Sequence, residues 1–463
     1  MLHNILYIFN DFLWSYILIA ILLFLGIYFS VKTNFVQFRF IKEMFRLLGD
    51  GVNSKEKNNV TSFQAFCIST ASRVGTGNLA GIAIAISIGG PGSIFWMWLI
   101  ALIGSSSSFI ESTLAQIFKT KDKDGSYRGG PAYYMEKGLN AKWAGILFSI
   151  LITICFGLIF NSVQSNTITL ALQEAFGIKP IIFGGILTLF TIAVIFGGIK
   201  RIAKVTEIIV PVMAIAYILV ALLVIVLNIK ELPKVFLMIF ENAFGINQAI
   251  GGTLGGTLLI GIKRGFFSNE AGMGSAPNAA AAASVSHPVK QGLIQTLGVF
   301  TDTLIICTCT AFIILLSDVN LNSNATGIKL TQQALSSQVG SWGTYFIAIC
   351  IFLFAFSSII GNYYYGESNI EFLSTKPIYL TLYRIGVTIM VFVGSIASLD
   401  LVWTLADVFM GFMALTNLIA IAFLGKYAFK ALDDYKSQKE KGIKDPVFKA
   451  SAIPELKDLD EWN

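Results

Sequence analysis

The sequence predicts an all-α polytopic membrane protein: about eleven transmembrane helices, an inverted 5+5 repeat behind one extra N-terminal helix. Three observations carry this prediction. The 463 residues are 55% hydrophobic and only 13% charged, with a mean hydropathy of +0.72, whereas soluble domains carry roughly 25% charged residues. Eleven apolar runs are close to or above the about 20 residues that a helix needs to cross a bilayer. Two of those runs are interrupted by glycine and polar residues, and they open two successive groups of five.

The runs fall at 13–31, 63–88, 93–118, 143–166, 181–199, 208–227, 250–283, 293–316, 342–364, 378–397 and 401–424. Between the first two, residues 35–48 alternate apolar and basic positions at helical spacing, as an interfacial helix would. From Lys426 onward the chain is charged and reads as a soluble or partly disordered tail. The organisation is therefore 1–61 for the extra helix and interfacial segment, 62–228 and 229–425 for the repeats, and 426–463 for the tail.

Basic residues set the orientation. With the N-terminus outside, twenty-five lysines and arginines fall on inner segments and four on outer ones. That is a strong positive-inside bias, and it puts the C-terminus in the cytoplasm. The net charge of +6 reflects these inner loops and not nucleic-acid binding. The five cysteines, Cys67, Cys155, Cys307, Cys309 and Cys350, all sit in apolar runs and suggest neither disulfides nor a metal site. Two histidines, His3 and His287, leave little for zinc or a histidine base. No basic region or small-residue cleavage site marks a removable signal peptide.

The first interrupted run carries Arg73-Val-Gly-Thr-Gly-Asn-Leu79 at its centre. Two glycines in three residues invite unwinding, and irregular backbone survives at membrane depth only where it lines a cavity. The second carries Gly261-Ile-Lys-Arg-Gly-Phe-Phe-Ser-Asn-Glu-Ala-Gly-Met-Gly274, running on to five alanines, Ala279 to Ala283. Because five is odd, the two groups must have opposite orientations. Matching broken helices in inverted halves point to a transporter site near the bilayer midplane.

These segments also carry a resemblance. Val74-Gly-Thr-Gly-Asn-Leu-Ala-Gly81, Gly89-Gly-Pro-Gly-Ser-Ile-Phe-Trp-Met-Trp98, Tyr127-Arg-Gly-Gly-Pro-Ala-Tyr-Tyr-Met135, the Lys263–Ala283 stretch and Gly361-Asn-Tyr-Tyr-Tyr-Gly-Glu367 resemble signatures of the alanine or glycine:cation symporter family. The likeness runs from about Phe63 to Leu424. It implies sodium-driven uptake of small neutral amino acids on the inverted 5+5 fold of the leucine transporter, with an extra N-terminal helix. Some members resemble Gly-Trp-Tyr-Tyr-Tyr where this chain has Gly361-Asn362-Tyr363, which makes Asn362 a determinant of pocket size and substrate identity.

The site residues follow from both lines. Backbone N–H groups of Thr76 and Gly77, with the Thr76 hydroxyl, suit a substrate carboxylate, and the resemblance places it there. Asn78 offers an oxygen for sodium, or else caps the second half-helix. Unwound backbone at Phe267, Ser268 and Asn269 would take the ammonium, with Phe267 walling the side chain. Gln164 is either a substrate contact, as the resemblance suggests, or an interhelical hydrogen bond. In the fold that the resemblance implies, Ser357 and Ser358 face the first break, so their hydroxyls and the Ala71 and Val74 carbonyls form a sodium site; back-bonding to their own helix is the other reading. Glu270 either couples to an ion or pairs with Arg73, Lys263 or Arg264, while Glu111, Asp302, Glu367 and Asp407 read as ties at helix ends.

The function this predicts is sodium-coupled import of alanine, glycine or a similar amino acid by alternating access, at a bacterial inner membrane. No cofactor is expected beyond the coupling ion, and the partners are the amino acid, sodium and membrane lipid, with no nucleic acid. A proton-coupled or exchange transporter is the alternative. An intramembrane enzyme is not expected: no Ser/His pair, HExxH motif or paired aspartates sit at suitable depth.

Overall fold

The computed structural model describes residues 10–53, 60–121, 125–244, 253–319, 325–456 and 459–462. The expected start of one broken run, 250–252, lies outside them. The chain begins with α1 (Asn10–Lys32), a short α2 (Val36–Arg39) and α3 (Ile41–Asn53). The first broken helix is α4 (Ser62–Arg73) and α5 (Gly77–Gly89), bent by 46°. Then come α6 (Ser93–Ile117), strands β1 (Thr120–Lys121) and β2 (Tyr127–Arg128), and α7 (Pro131–Leu139). Helices α8 (Lys142–Phe176), α9 (Pro180–Ile195) and α10 (Gly198–Leu227) follow. The second half holds α11 (Leu232–Phe244), the second broken helix α12 (Thr253–Asn269) with α13 (Ala276–Ala282), α14 (Pro288–Leu315), α15 (Ile328–Val339), α16 (Trp342–Leu373), α17 (Pro377–Ile396) and α18 (Leu399–Glu440).

Among the described residues, eight helices are long and apolar enough to span, and the bent pair makes nine. The other two expected runs are shorter helices, α9 with 16 residues and α12 with 17. The Gly197-Gly198 turn after α9, where Gly198 takes φ +70°, ends that helix before the expected boundary.

Local chemistry sets the breaks. Thr61 and Gln64 exchange side-chain and backbone hydrogen bonds at 3.1 Å, a capping box that starts α4. Val74, at ψ 91°, carries the chain out of the helix. In the second break Glu270 adopts φ +57°, with Gly272 and Gly274 at +90° and +86°. The two glycines take that conformation at little cost; the glutamate does so under strain.

Helix α4 packs on α10, α13 and α16, while α6 packs on α12 and α14, so the broken helices lie at the centre. The distal ends of the two broken helices meet where Val60 bridges Ala283, and the Ser284 N–H donates to the Val60 carbonyl at 3.0 Å. On α10, Val210, Met213, Tyr217 and Val224 are buried, while Ile208, Val212, Ile215 and Leu219 are exposed at helical spacing. An exposed apolar face of that kind suits a bilayer.

The tail differs from expectation. Helix α18 continues unbroken to Glu440, and Tyr435, Phe448, Ile453 and Trp462 beyond the expected boundary are buried. The Trp462 indole donates to the Gln116 carbonyl at 3.1 Å. Apolar residues scattered among the charges give the tail a surface to bury, which average composition conceals. The interfacial segment also divides: Asn34 and Phe35, at φ of 51° and 54°, separate it from α1, and Phe40, at φ −102° and ψ 17°, splits it into α2 and α3.

Candidate substrate and ion site

The first break is built on close approach. A Cβ at Gly75 would lie 2.2 Å from Ser358 Oγ and 2.8 Å from Gln164 Oε1, so only glycine fits. At Gly77 a Cβ would stand 3.1 Å from the Phe267 ring and 3.2 Å from Ser268 Cα, so the two breaks touch there. The Gly75 N–H donates to Asn78 Oδ1 at 2.9 Å, and the Thr76 N–H to Gln164 Oε1 at 2.9 Å. The Thr76 hydroxyl is fully buried with no hydrogen-bond partner.

An oxygen cluster lies beside it. Ser358 Oγ is 2.7 Å from the Ala71 carbonyl, 3.4 Å from that of Val74 and 3.0 Å from that of Phe354. One hydroxyl has one proton, so three carbonyls cannot all be satisfied by it. Converging oxygens short of protons suit a hard cation. Ser357 turns elsewhere: it donates to the Phe354 carbonyl at 2.8 Å and faces the Met213 sulfur at 3.9 Å. Of the pair, Ser358 reaches the break, and Ser357 shows the back-bonding expected as the alternative.

Phe267, Ser268 and Asn269, expected as unwound backbone, instead form the last turn of α12, and the second break begins at Glu270, whose N–H still bonds the Phe266 carbonyl. That break is held by acids from other helices. The Glu111 carboxylate accepts from the Gly272 and Gly274 N–H groups at 3.1 and 3.0 Å, and from the Asn417 amide at 2.8 Å. Asp302, midway along α14, accepts from Asn78 Nδ2 at 2.7 Å on one oxygen and from Ser268 Oγ at 2.8 Å on the other. It straps the two breaks together. Asn269 Oδ1 accepts from the Ala271 N–H at 3.0 Å, and its Nδ2 is buried without a partner. The Phe267 ring packs between Phe160 and Trp403, both at 4.7 Å.

Glu270 bonds hydroxyls and no cation. Ser72 Oγ is 2.8 Å from Glu270 Oε1 and 2.7 Å from Asn362 Oδ1, and Ser275 Oγ is 2.5 Å from Glu270 Oε2. The other end of the Asn362 amide is buried and unpartnered. The cations proposed for Glu270 go elsewhere. Lys263 Nζ sits 2.7 Å and Arg264 Nη2 2.5 Å from Asp407 Oδ2, while Arg73 reaches Gln295 Oε1 at 3.2 Å and Ser108 Oγ at 3.4 Å. Asp407 is thus the buried counter-ion of α12 and not a helix-end tie.

Thr76, Gly77, Asn78, Gln164, Phe267 and Ser268 therefore converge on one junction, with Ala71, Val74 and Ser358 on one side and Ser72, Asn362 and Glu270 on another. Asp302, Glu111 and Ser72 belong to it as well. An acid within a membrane run is a functional signal, and that rule marks Asp302 and Glu111. Nothing in the sequence places them at the breaks.

Two broken helices meeting at a buried, polar centre fit a secondary transporter, and the chain shares the fold of one solved structure of the leucine-transporter type. It covers 99% of the chain in the crystal structure of MhsT in complex with L-phenylalanine, using 81% of its own length, with a TM-score of 0.57 and 14% identity. The model of the sodium:alanine symporter family matches residues 1–450, and the chain belongs to that family. It is a membrane transporter of a sodium-coupled amino-acid symporter family, and not an enzyme. It is 58% identical to the probable sodium/glutamine symporter GlnT of Bacillus subtilis (strain 168), over 100% of this chain and 96% of that one. It is 38% identical to the sodium/alanine symporter AgcS of Methanococcus maripaludis, over 90% and 93%.

Proposed function

We propose that the chain couples inward sodium flow to import of a small neutral amino acid, alanine or glycine, by alternating access. The observation that carries this reading is the Ser358 hydroxyl 2.7 Å from the Ala71 carbonyl and 3.4 Å from that of Val74. There α16 and the end of α4 offer a cation oxygens from two helices. Sodium held there, with Asn78 as a further oxygen donor beside it, stabilises only the conformation in which the helices meet. The substrate carboxylate takes the amides of Thr76 and Gly77, displacing Gln164, and its ammonium takes the carbonyls that the C-terminal end of α12 leaves at Phe267–Asn269. Phe267, backed by Phe160 and Trp403, limits the side chain.

Uptake of labelled L-alanine into proteoliposomes, with sodium replaced by choline, tests this. Loss of uptake supports sodium coupling. Persistence of uptake, with dependence on a proton gradient or on internal amino acid, selects the proton-coupled or exchange reading. Asn362 favours a second reading of the substrate. Its half-free buried amide and the relative named for glutamine support a side-chain amide in the pocket. A competition panel of alanine, glycine and glutamine separates the two.

The charge bias supports an outer N-terminus and a cytoplasmic C-terminus in a bacterial inner membrane. Cysteine at the exposed Ser337 should then react with an impermeant reagent on whole cells, and cysteine at the exposed Glu440 should not.

A further inference from the structure

Helix α18 ends at Glu440, and Gly442, at φ +81°, turns the chain back. Among the described residues beyond that turn, the regular structure is two short 3-10 turns, Ala450–Ala452 and Asp460–Trp462. The segment is held to the rest of the molecule by a few buried apolar anchors, Phe448, Ile453, Leu459 and Trp462. A segment docked in this way can leave as a unit while the helices beneath it stay folded.

Its contacts converge on the end of α13 and the connector from there to α14. The Phe448 N–H donates to the Ser286 carbonyl at 2.9 Å, and the Ser286 hydroxyl donates to the Pro446 carbonyl at 2.8 Å. Phe448 stands edge-on to His287, with ring centroids 5.3 Å apart. Asp445 Oδ1 lies 3.2 Å from Lys290 Nζ and 3.4 Å from Arg46 Nη1, which ties α14 to α3. Farther on, the Trp462 indole bonds the Gln116 carbonyl. Gln116 Nε2 in turn donates to the Ala280 and Ala283 carbonyls, at 2.5 and 2.9 Å, at the end of α13.

The connector is also where the two broken helices meet, since the Ser284 N–H bonds the Val60 carbonyl just ahead of α4. Parting those ends moves the connector, and two residues later the connector is bonded to the tail. We propose that the segment after Gly442 is an autoinhibitory brake. Docked, it holds α13 against α4, on which that helix packs, and slows opening of the site towards the tail side. Released, it frees α13 to move. Ionic strength sets how firmly it holds: the Asp445 side chain is 59% exposed while it faces two cations, so salt screens those pairs. The brake rests on the alternating-access reading given above.

The test compares full-length variants for uptake in proteoliposomes and for hydrogen exchange in detergent. Asp445→Ala should raise the saturated rate of alanine uptake about two- to threefold. Added choline chloride, at fixed sodium, should raise the wild-type rate by a similar factor and leave Asp445→Ala almost unchanged. Phe448→Ala should speed hydrogen exchange across residues 279–290 at least about tenfold and raise the uptake rate with it. Phe448→Leu should bring both back towards wild type. Faster exchange with an unchanged or slower uptake rate would make the segment a structural tie and overturn the brake. Equal salt dependence in wild type and Asp445→Ala would overturn it too. Wild-type uptake that needs no sodium is a separate result: it counts against the proposed function and leaves the comparison of rates intact.

Discussion

Ser358 on α16 holds its hydroxyl 2.7 Å from the carbonyl oxygen of Ala71 on α4, 287 positions away in sequence. If sodium takes the Ser358 oxygen as a ligand, with the hydroxyl proton turned away, losing the hydroxyl removes a contact to a charge worth about 1.5–3 kcal/mol. At about 1.4 kcal/mol per tenfold, Ser358→Ala should raise the half-saturating sodium concentration about ten- to a hundredfold. Ser357→Ala should change it far less, since that hydroxyl bonds its own helix. Sodium titration of alanine uptake measures both, and equal small effects would move the ion elsewhere.

The carboxylate site is tested by filling it. A Cβ at Gly77 already meets the Phe267 ring at 3.1 Å, so the two branches of Gly77→Val should abolish uptake in membrane-inserted protein. Competition separates the chemistry from the sterics. Alaninamide, which lacks the carboxylate, should fail to compete with alanine for uptake, and effective competition would remove the carboxylate from this break.

Asp302 joins Asn78 to Ser268 across the two breaks. Asp302→Leu leaves both donors buried and unpaired, at about 1–3 kcal/mol each. Uptake should fall at least about tenfold while the protein still inserts. Asp302→Asn keeps one acceptor and should retain more activity than the leucine variant. An asparagine variant as inactive as the leucine variant would show that its charge, not its strapping of the breaks, matters.

The cluster of Lys263, Arg264 and Asp407 is a stability prediction. Removing one partner of a buried ion pair costs about 3–5 kcal/mol because the charge left behind stays buried. Asp407→Ala strands two cations at once, so its thermal midpoint in detergent should drop markedly. Substituting Lys263 and Arg264 by leucine in that background should recover part of the loss.

Glu43, on the interfacial α3, predicts a response to acid. Burial opposes its ionisation, but hydrogen bonds from Arg46, Tyr435 and Lys439 outweigh it and hold its pKa down to about 2, from the usual 4.5. The folded value is depressed, so the stabilisation is present above pH 4.5 and is lost as pH falls towards 2. Hydrogen exchange along α3 and around Tyr435 should rise over that window, and Glu43→Gln should exchange faster at neutral pH with less further change on acidification.

The breaks were legible because glycine and polar side chains inside an apolar run have few explanations at membrane depth. The Ser357-Ser358 pair was legible as a pair. Which one faces Ala71 depends on helical phase, and adjacent residues differ by about 100° around a helix with 3.6 residues per turn. Partners were the least legible part. Arg264 finds its acid 143 positions later, and Glu111 caps glycines 161 and 163 positions later. Such pairings belong to tertiary packing, and no local pattern encodes them. The tail is not legible from composition, because burial depends on where its few apolar side chains fall and not on their average.

The contact between Val60 and Ala283 has a mechanical meaning. A backbone hydrogen bond from Ser284 to Val60 ties the outer ends of α4 and α13, two helices that also pack on each other. Such a bond contributes about 1 kcal/mol net, close to a fivefold bias in a two-state equilibrium. It therefore acts as a latch that ordinary thermal motion can undo. In the proposed alternating-access cycle, a clasp this weak would favour the arrangement in which these ends meet without slowing its release. Replacing it with a covalent tether would hold the arms together and halt the cycle.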